Sequence, residues 1–122
     1  MNGYLWHIKI VDPYSSELVD RTGEKKVATT DPNKLCVYLS SELSGNFLIT
    51  VLIHELGHCT MISYHLLDYI HEMVKPEYWI DAEEFMCNFI ADYGIQMYKI
   101  TYRVLGEYAI MYLPQELERF VS

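Results

Sequence analysis

Long apolar runs are missing from this chain. The cleanest, Phe47 to Ile53, is short and interrupted by Thr50. A membrane-spanning helix needs ~18–20 apolar residues, so no membrane span is expected. Basic residues are scarce. Nine Lys and Arg stand against seventeen Asp and Glu, a formal charge of −8. Such a chain repels phosphate backbones, which argues against a nucleic-acid partner. Cysteine is also sparse: Cys36, Cys59 and Cys87 are widely spaced, odd in number and form no Cys-x-x-Cys. They read as reduced thiols rather than a disulfide framework. The first residues carry no basic stretch followed by an apolar core, so no signal peptide is expected and the cytoplasm is the expected compartment. Repeats, low-complexity tracts and linkers are absent. What remains is a 122-residue chain that is 51% hydrophobic, enough for one packed domain spanning 1–122.

The order of local signals predicts an α+β fold. Tyr4 to Val11 is rich in aromatic and β-branched residues and stops at Asp12-Pro13, a strand signal. Ser15 to Lys26 is polar and reads as loop. Val27–Thr30 and Leu35–Leu39 flank the turn residues Asp31-Pro32-Asn33-Lys34, which predicts a hairpin. Ser44 is a plausible N-cap for a helix in which Leu48, Val51, Leu52, Leu56, Cys59, Ile62 and Leu66 recur at helical spacing. That helix is expected to run to about Tyr64, with a continuation to Met73, before Lys75-Pro76 breaks it. A further helix is expected from Pro76 or Asp81 to Leu105, ended by Gly106, and a short one over Gln115–Phe120 after Pro114. The expected architecture is a small antiparallel sheet or hairpin, then two long helices.

The chemistry concentrates in His54-Glu55-Leu56-Gly57-His58. On a helix, positions i and i+4 share a face, so both imidazoles can reach one metal ion. Zinc accepts neutral imidazole nitrogen at about 2.0–2.1 Å, and a catalytic site commonly uses three protein ligands and a water. Glu55, beside the first His, is placed to take a proton from that water. Gly57 costs about 1 kcal/mol relative to Ala inside a helix, so its presence suggests that another element approaches the backbone there.

A third ligand is required. The metzincin spacing would place Gly at position 61 and His at 64, but Met61 and Tyr64 stand there. The gluzincin arrangement takes a Glu from a later helix. Glu84 fits, sharing a face with Asn88, Ala91 and Ile95 at helical spacing, and Asn88 would then reach a ligating His from behind. Glu83 is the rival, because Asp81 and Glu84 also fit a capping box.

The motif followed by Glu84-Phe85-Met86-Cys87-Asn88-Phe89-Ile90-Ala91 resembles the ImmA/IrrE-like metallopeptidases, small gluzincins of bacteria, phages and mobile elements. That family carries HExxH on one helix and a Glu-x-x-Ala-Asn-x-Phe-Ala-like stretch on the next. The resemblance covers roughly residues 27 to 95. Cys87 stands where Ala is usual and Ile90 where Phe is usual, and the family's Leu-Met-Pro-like continuation is missing. The resemblance implies a zincin-type domain holding one zinc ion through His54, His58 and Glu84, with Glu55 as general base. It implies hydrolysis of a peptide bond in a protein or peptide substrate, in the family often a regulator.

Other signals are weaker. Besides zinc, the reaction needs a donor for the developing oxyanion. His65, Tyr64, His71, Tyr93 and Tyr98 are the candidates; on a straight helix His65 would share the face of His58. His71 with Asp68 and Glu72 reads as an exposed polar face rather than a second metal site. The strand Leu35–Leu39, if at a sheet edge, would accept an extended peptide. Tyr93, Tyr98, Tyr102, Tyr108 and Tyr112 crowd the C-terminal third and offer a homodimer surface. The alternative from another class is a catalytically silent zincin-fold binding protein that sequesters a partner; an intact Glu55 weighs against it.

Overall fold

A computed structural model describes residues 1–106. The helix expected over Gln115–Phe120, with Tyr108 and Tyr112, lies outside the described residues. One compact unit spans Met1–Asp92, and a second begins at Tyr93. The first unit is α+β: strands β1 (His7–Val11), β2 (Ala28–Asp31) and β3 (Cys36–Ser40), then helices α1 (Gly45–Ser63), α2 (Leu67–Met73) and α3 (Trp79–Phe89). A π-helical segment, Ile90–Gly94, follows α3, and the second unit contains helix α4 (Ile95–Leu105), capped by Gly106 at φ 57°. Among the described residues no single helix is long and apolar enough to cross a membrane.

The hairpin forms as its turn residues predict, with β2 antiparallel to β3 and Asp31 Oδ1 accepting the Asn33 and Lys34 amides. The sheet as a whole is mixed rather than antiparallel. Its order is β1-β3-β2, and β1 runs parallel to β3, with His7 opposite Cys36 and Val11 opposite Ser40. The segment between β1 and β2 therefore crosses one sheet face, where the short helix Ser16–Leu18 buries Leu18 against Cys36 and Tyr38. The opposite face carries Ala28, Val37 and Leu39 and packs on Leu48, Val51, Leu52, Leu56 and Cys59 of α1. Because β3 is central, with both edges paired, it cannot receive an added strand; the expectation of an edge at Leu35–Leu39 is wrong. The hairpin signal reports local pairing only and carries no information on where β1 docks.

Helix α1 ends at Ser63 with Tyr64 as its C-cap, close to the expected end, and does not continue to Met73; α2 leaves at 85°. The stop is a Schellman motif: the Leu66 amide bonds to the Met61 carbonyl and the His65 amide to Ile62, with His65 in the left-handed region at φ 57°. A glycine normally fills that position, so the sequence carries little warning of the break. The N-terminal segment fastens the same end. The Trp6 indole donates to Ser63 Oγ (2.7 Å), and the Asn2 amide donates to the Ser63 carbonyl (2.9 Å). Strand β1 starts at His7 rather than at the expected Tyr4.

Helix α3 begins at Trp79, two residues before Asp81, so Asp81 and Glu84 lie inside it and form no capping box. Its buried side chains are Glu83 and Cys87, with Ala91 one turn beyond. Cys87 meets α1 at Gly57. A Cβ on Gly57 would lie 3.0 Å from Cys87 Sγ and 3.4 Å from Cys87 Cα, so a side chain there would have to push the buried Cys87 sulfur aside by a few tenths of an ångström. Gly57→Ala is expected to destabilise the protein by about 1–3 kcal/mol through overpacking, read as a lowered urea midpoint. In a Cys87→Ala background the same change should instead be neutral or stabilise by up to about 1 kcal/mol, because helix propensity is then unopposed.

Candidate metal centre

Helices α1 and α3 meet with His54, His58 and Glu84 turned toward one point. The two Nε2 atoms lie 3.2 Å apart. The Glu84 carboxylate straddles them, with Oε2 3.1 Å from His54 Nε2 and Oε1 3.2 Å from His58 Nε2. Ligands at about 2.0–2.1 Å around a tetrahedral ion are roughly 3.3 Å from each other. The two Nε2 atoms are close to that spacing, one donor atom from each of the three residues lies within 4.8 Å of the others, and the donor set of two imidazoles and one carboxylate suits a divalent transition metal. These three residues could hold a metal ion, and they form the single group of this kind among the described residues. His71, in contrast, stacks on Trp79 with ring centroids 3.9 Å apart and takes part in no such group.

Glu84 is the glutamate that joins the two histidines in this group, but the face on which it sits differs from the expected one. The buried stripe of α3 runs through Glu83 and Cys87, about 100° from the line Glu84–Asn88. Asn88 is exposed and makes no hydrogen bond to either histidine. Its anticipated place behind a ligand is taken by Glu83, which is 5% exposed. Glu83 Oε1 lies 2.9 Å from His58 Nδ1, and its Oε2 accepts from Arg21 Nη2 at 3.0 Å. With Nδ1 hydrogen-bonded to a carboxylate, Nε2 of His58 is the nitrogen free for a metal. The two adjacent glutamates therefore take different places: Glu84 faces both imidazole Nε2 atoms, and Glu83 bonds to His58 Nδ1.

Glu55 is buried, and Thr30 Oγ1 donates to its Oε2 at 2.5 Å. Thr30 alternates with Ala28 on the strand face that packs under α1, so this contact links β2 to the candidate base. Neither Arg21 nor Thr30 was singled out from the sequence. Thr30 was recoverable in principle from strand alternation, whereas Arg21 sits in a loop and carries no local signal. His65 is turned out of the α1 line by its left-handed backbone and packs edge-on to Tyr4 (6.3 Å). It does not continue the His54–His58 face. Tyr93 belongs to the second unit. All three cysteines are free and buried, as expected for structural thiols.

Without metal, the site is held by charge. Burial opposes a charged His58 ring, but the Cys87 sulfur and the Glu83 and Glu84 carboxylates outweigh it and push its pKa up to about 12. Hydrogen bonds from His54 and His58 hold the Glu84 carboxyl well below the usual carboxylate range. A raised histidine pKa stabilises the fold fully below its ordinary value of 6.5, and this contribution fades as pH rises toward 12. A lowered carboxylate pKa stabilises above its ordinary value of 4.5 and fades as pH falls below it. In chelator, the urea midpoint should therefore fall from pH 6.5 to 9, and His58→Asn should flatten that decline. Saturating zinc should reverse it, because the metal needs the neutral ring. The chain matches no known family model, no curated protein and no solved structure.

Proposed function

We propose that the chain is a zinc-dependent metallopeptidase of minimal gluzincin type. The observation that carries this reading is the convergence of His54, His58 and Glu84, with one donor atom from each within 4.8 Å of the others, beside the buried Glu55. When bound, zinc supplies Lewis acidity that makes a water nucleophilic near neutral pH. The protein's own groups handle the proton. Glu55, held by Thr30, takes it from the attacking water and passes it to the leaving amine nitrogen. Glu83 keeps His58 in the tautomer that offers Nε2.

The substrate would be an extended peptide lying along β2. The Val27 carbonyl accepts the Ser40 amide (2.8 Å). By antiparallel alternation Thr29 and Asp31 bond to β3, so the main chain of Ala28 and Thr30 turns to the outer edge. That edge adjoins Glu55 through Thr30, and a peptide added there would pass the metal ligands. A cytoplasmic regulatory protein would be a suitable substrate.

The reading is tested with purified protein and a quenched-fluorescence peptide library. Glu55→Gln should keep about one zinc per chain while hydrolysis falls by 10²-fold or more. Glu84→Ala should lose the metal. A wild type that binds zinc, cleaves nothing and retains its biological effect as Glu55→Gln would support a silent binding protein instead.

A further inference from the structure

We propose that Arg21, a loop residue outside the ligand set, is a positioning residue that sets the affinity of the site for its metal by holding Glu83. The proposal rests on the metal reading above but not on peptide hydrolysis. Glu83 is enclosed, with its side chain 7% exposed, and each oxygen has one partner: His58 Nδ1 on Oε1 and Arg21 Nη2 on Oε2. When His58 ligates a metal its ring is neutral. It then offers Glu83 a hydrogen bond but no counter-charge. Arg21 is the sole Lys or Arg paired with Glu83 among the described residues. A buried carboxylate without a counter-charge is costly. Without Arg21, Glu83 gains by swinging toward water, and His58 loses the acceptor that fixes its ring.

The loop that presents Arg21 is built for this. Asp20 Oδ1 accepts from the Thr22 amide (2.8 Å), the Thr22 hydroxyl (2.6 Å) and the Glu24 amide (3.0 Å). The Asp20 amide bonds to the Glu24 carbonyl (2.8 Å), and the Gly23 amide to the Asp20 carbonyl (3.0 Å). A bridge between Val19 and Lys25 closes the base. Arg21 thus leaves a closed turn in a defined direction. It reaches across 62 positions of sequence to a glutamate that no neighbour of its own could contact. The Arg21 side chain is itself 52% exposed, so it contributes little to core packing.

The test is metal affinity, measured by zinc competition against a chromophoric chelator and by cobalt(II) titration followed in the visible d–d bands. Glu83→Gln should weaken zinc binding about 10–100-fold. Arg21→Met should weaken it about 10-fold and shift the cobalt bands, and Arg21→Lys about threefold, since an ammonium lacks the planar fork. In the Glu83→Gln background, Arg21→Met should add less than about twofold, because its effect passes through Glu83. Arg21→Met within twofold of wild type, or costing its full factor in the Glu83→Gln background, overturns the proposal. Should far-UV circular dichroism show Arg21→Met unfolded, Arg21→Lys decides alone, and wild-type affinity there overturns it. A wild type that takes up neither zinc nor cobalt removes the metal reading itself and this inference with it.

Discussion

The approach of α3 to α1 at Gly57 is the contact on which the site depends. One missing side chain lets the Cys87 sulfur sit against the α1 backbone. Helix axes brought this close place the residues of α3 one turn earlier, Glu83 and Glu84, level with His54 and His58. The cost of a glycine inside a helix, about 1 kcal/mol, is the cost of this proximity. Everything else around the cluster refines what that contact makes possible.

The polar layers are arranged by burial. Glu84 lies at the border of the buried stripe, where a carboxylate can face two imidazoles and still reach solvent. Glu83 lies in the stripe, where a carboxylate is tolerable only if both oxygens are bonded, and both are. Thr30 donates to one oxygen of the buried Glu55. The sheet contributes through position as well as packing. With β1 on the far side of β3, β2 is left as the edge beside the candidate base.

Much of this was legible in the residues. His54 and His58 at i and i+4 inside an apolar helical pattern imply a shared face whatever the tertiary structure, and the hairpin follows from its turn chemistry. Glu84 was also reachable, but by an argument that does not hold, since Asn88 points to solvent and the buried face is that of Glu83 and Cys87. Periodicity marks which residues share a face. When apolar residues are spread around the helix, as on α3, it does not mark which face is buried. The end of α1 near Tyr64 was read from the sequence, but the form of its stop was not, because His65 occupies a left-handed position that composition would assign to glycine or asparagine.

By itself the sequence determined the local quantities: an α+β order of elements, and a helix that carries two histidines on one face with a glutamate between them. These depend on spacings of a few residues, which helix and turn geometry convert directly into space. Tertiary structure alone decided the parallel docking of β1, which of Glu83 and Glu84 faces both imidazoles, and the contacts of Thr30 with Glu55 and of Arg21 with Glu83. Each of those joins residues distant in sequence, and the free energy that selects one such pairing comes from burying a charge or an apolar face against a partner that no local pattern names.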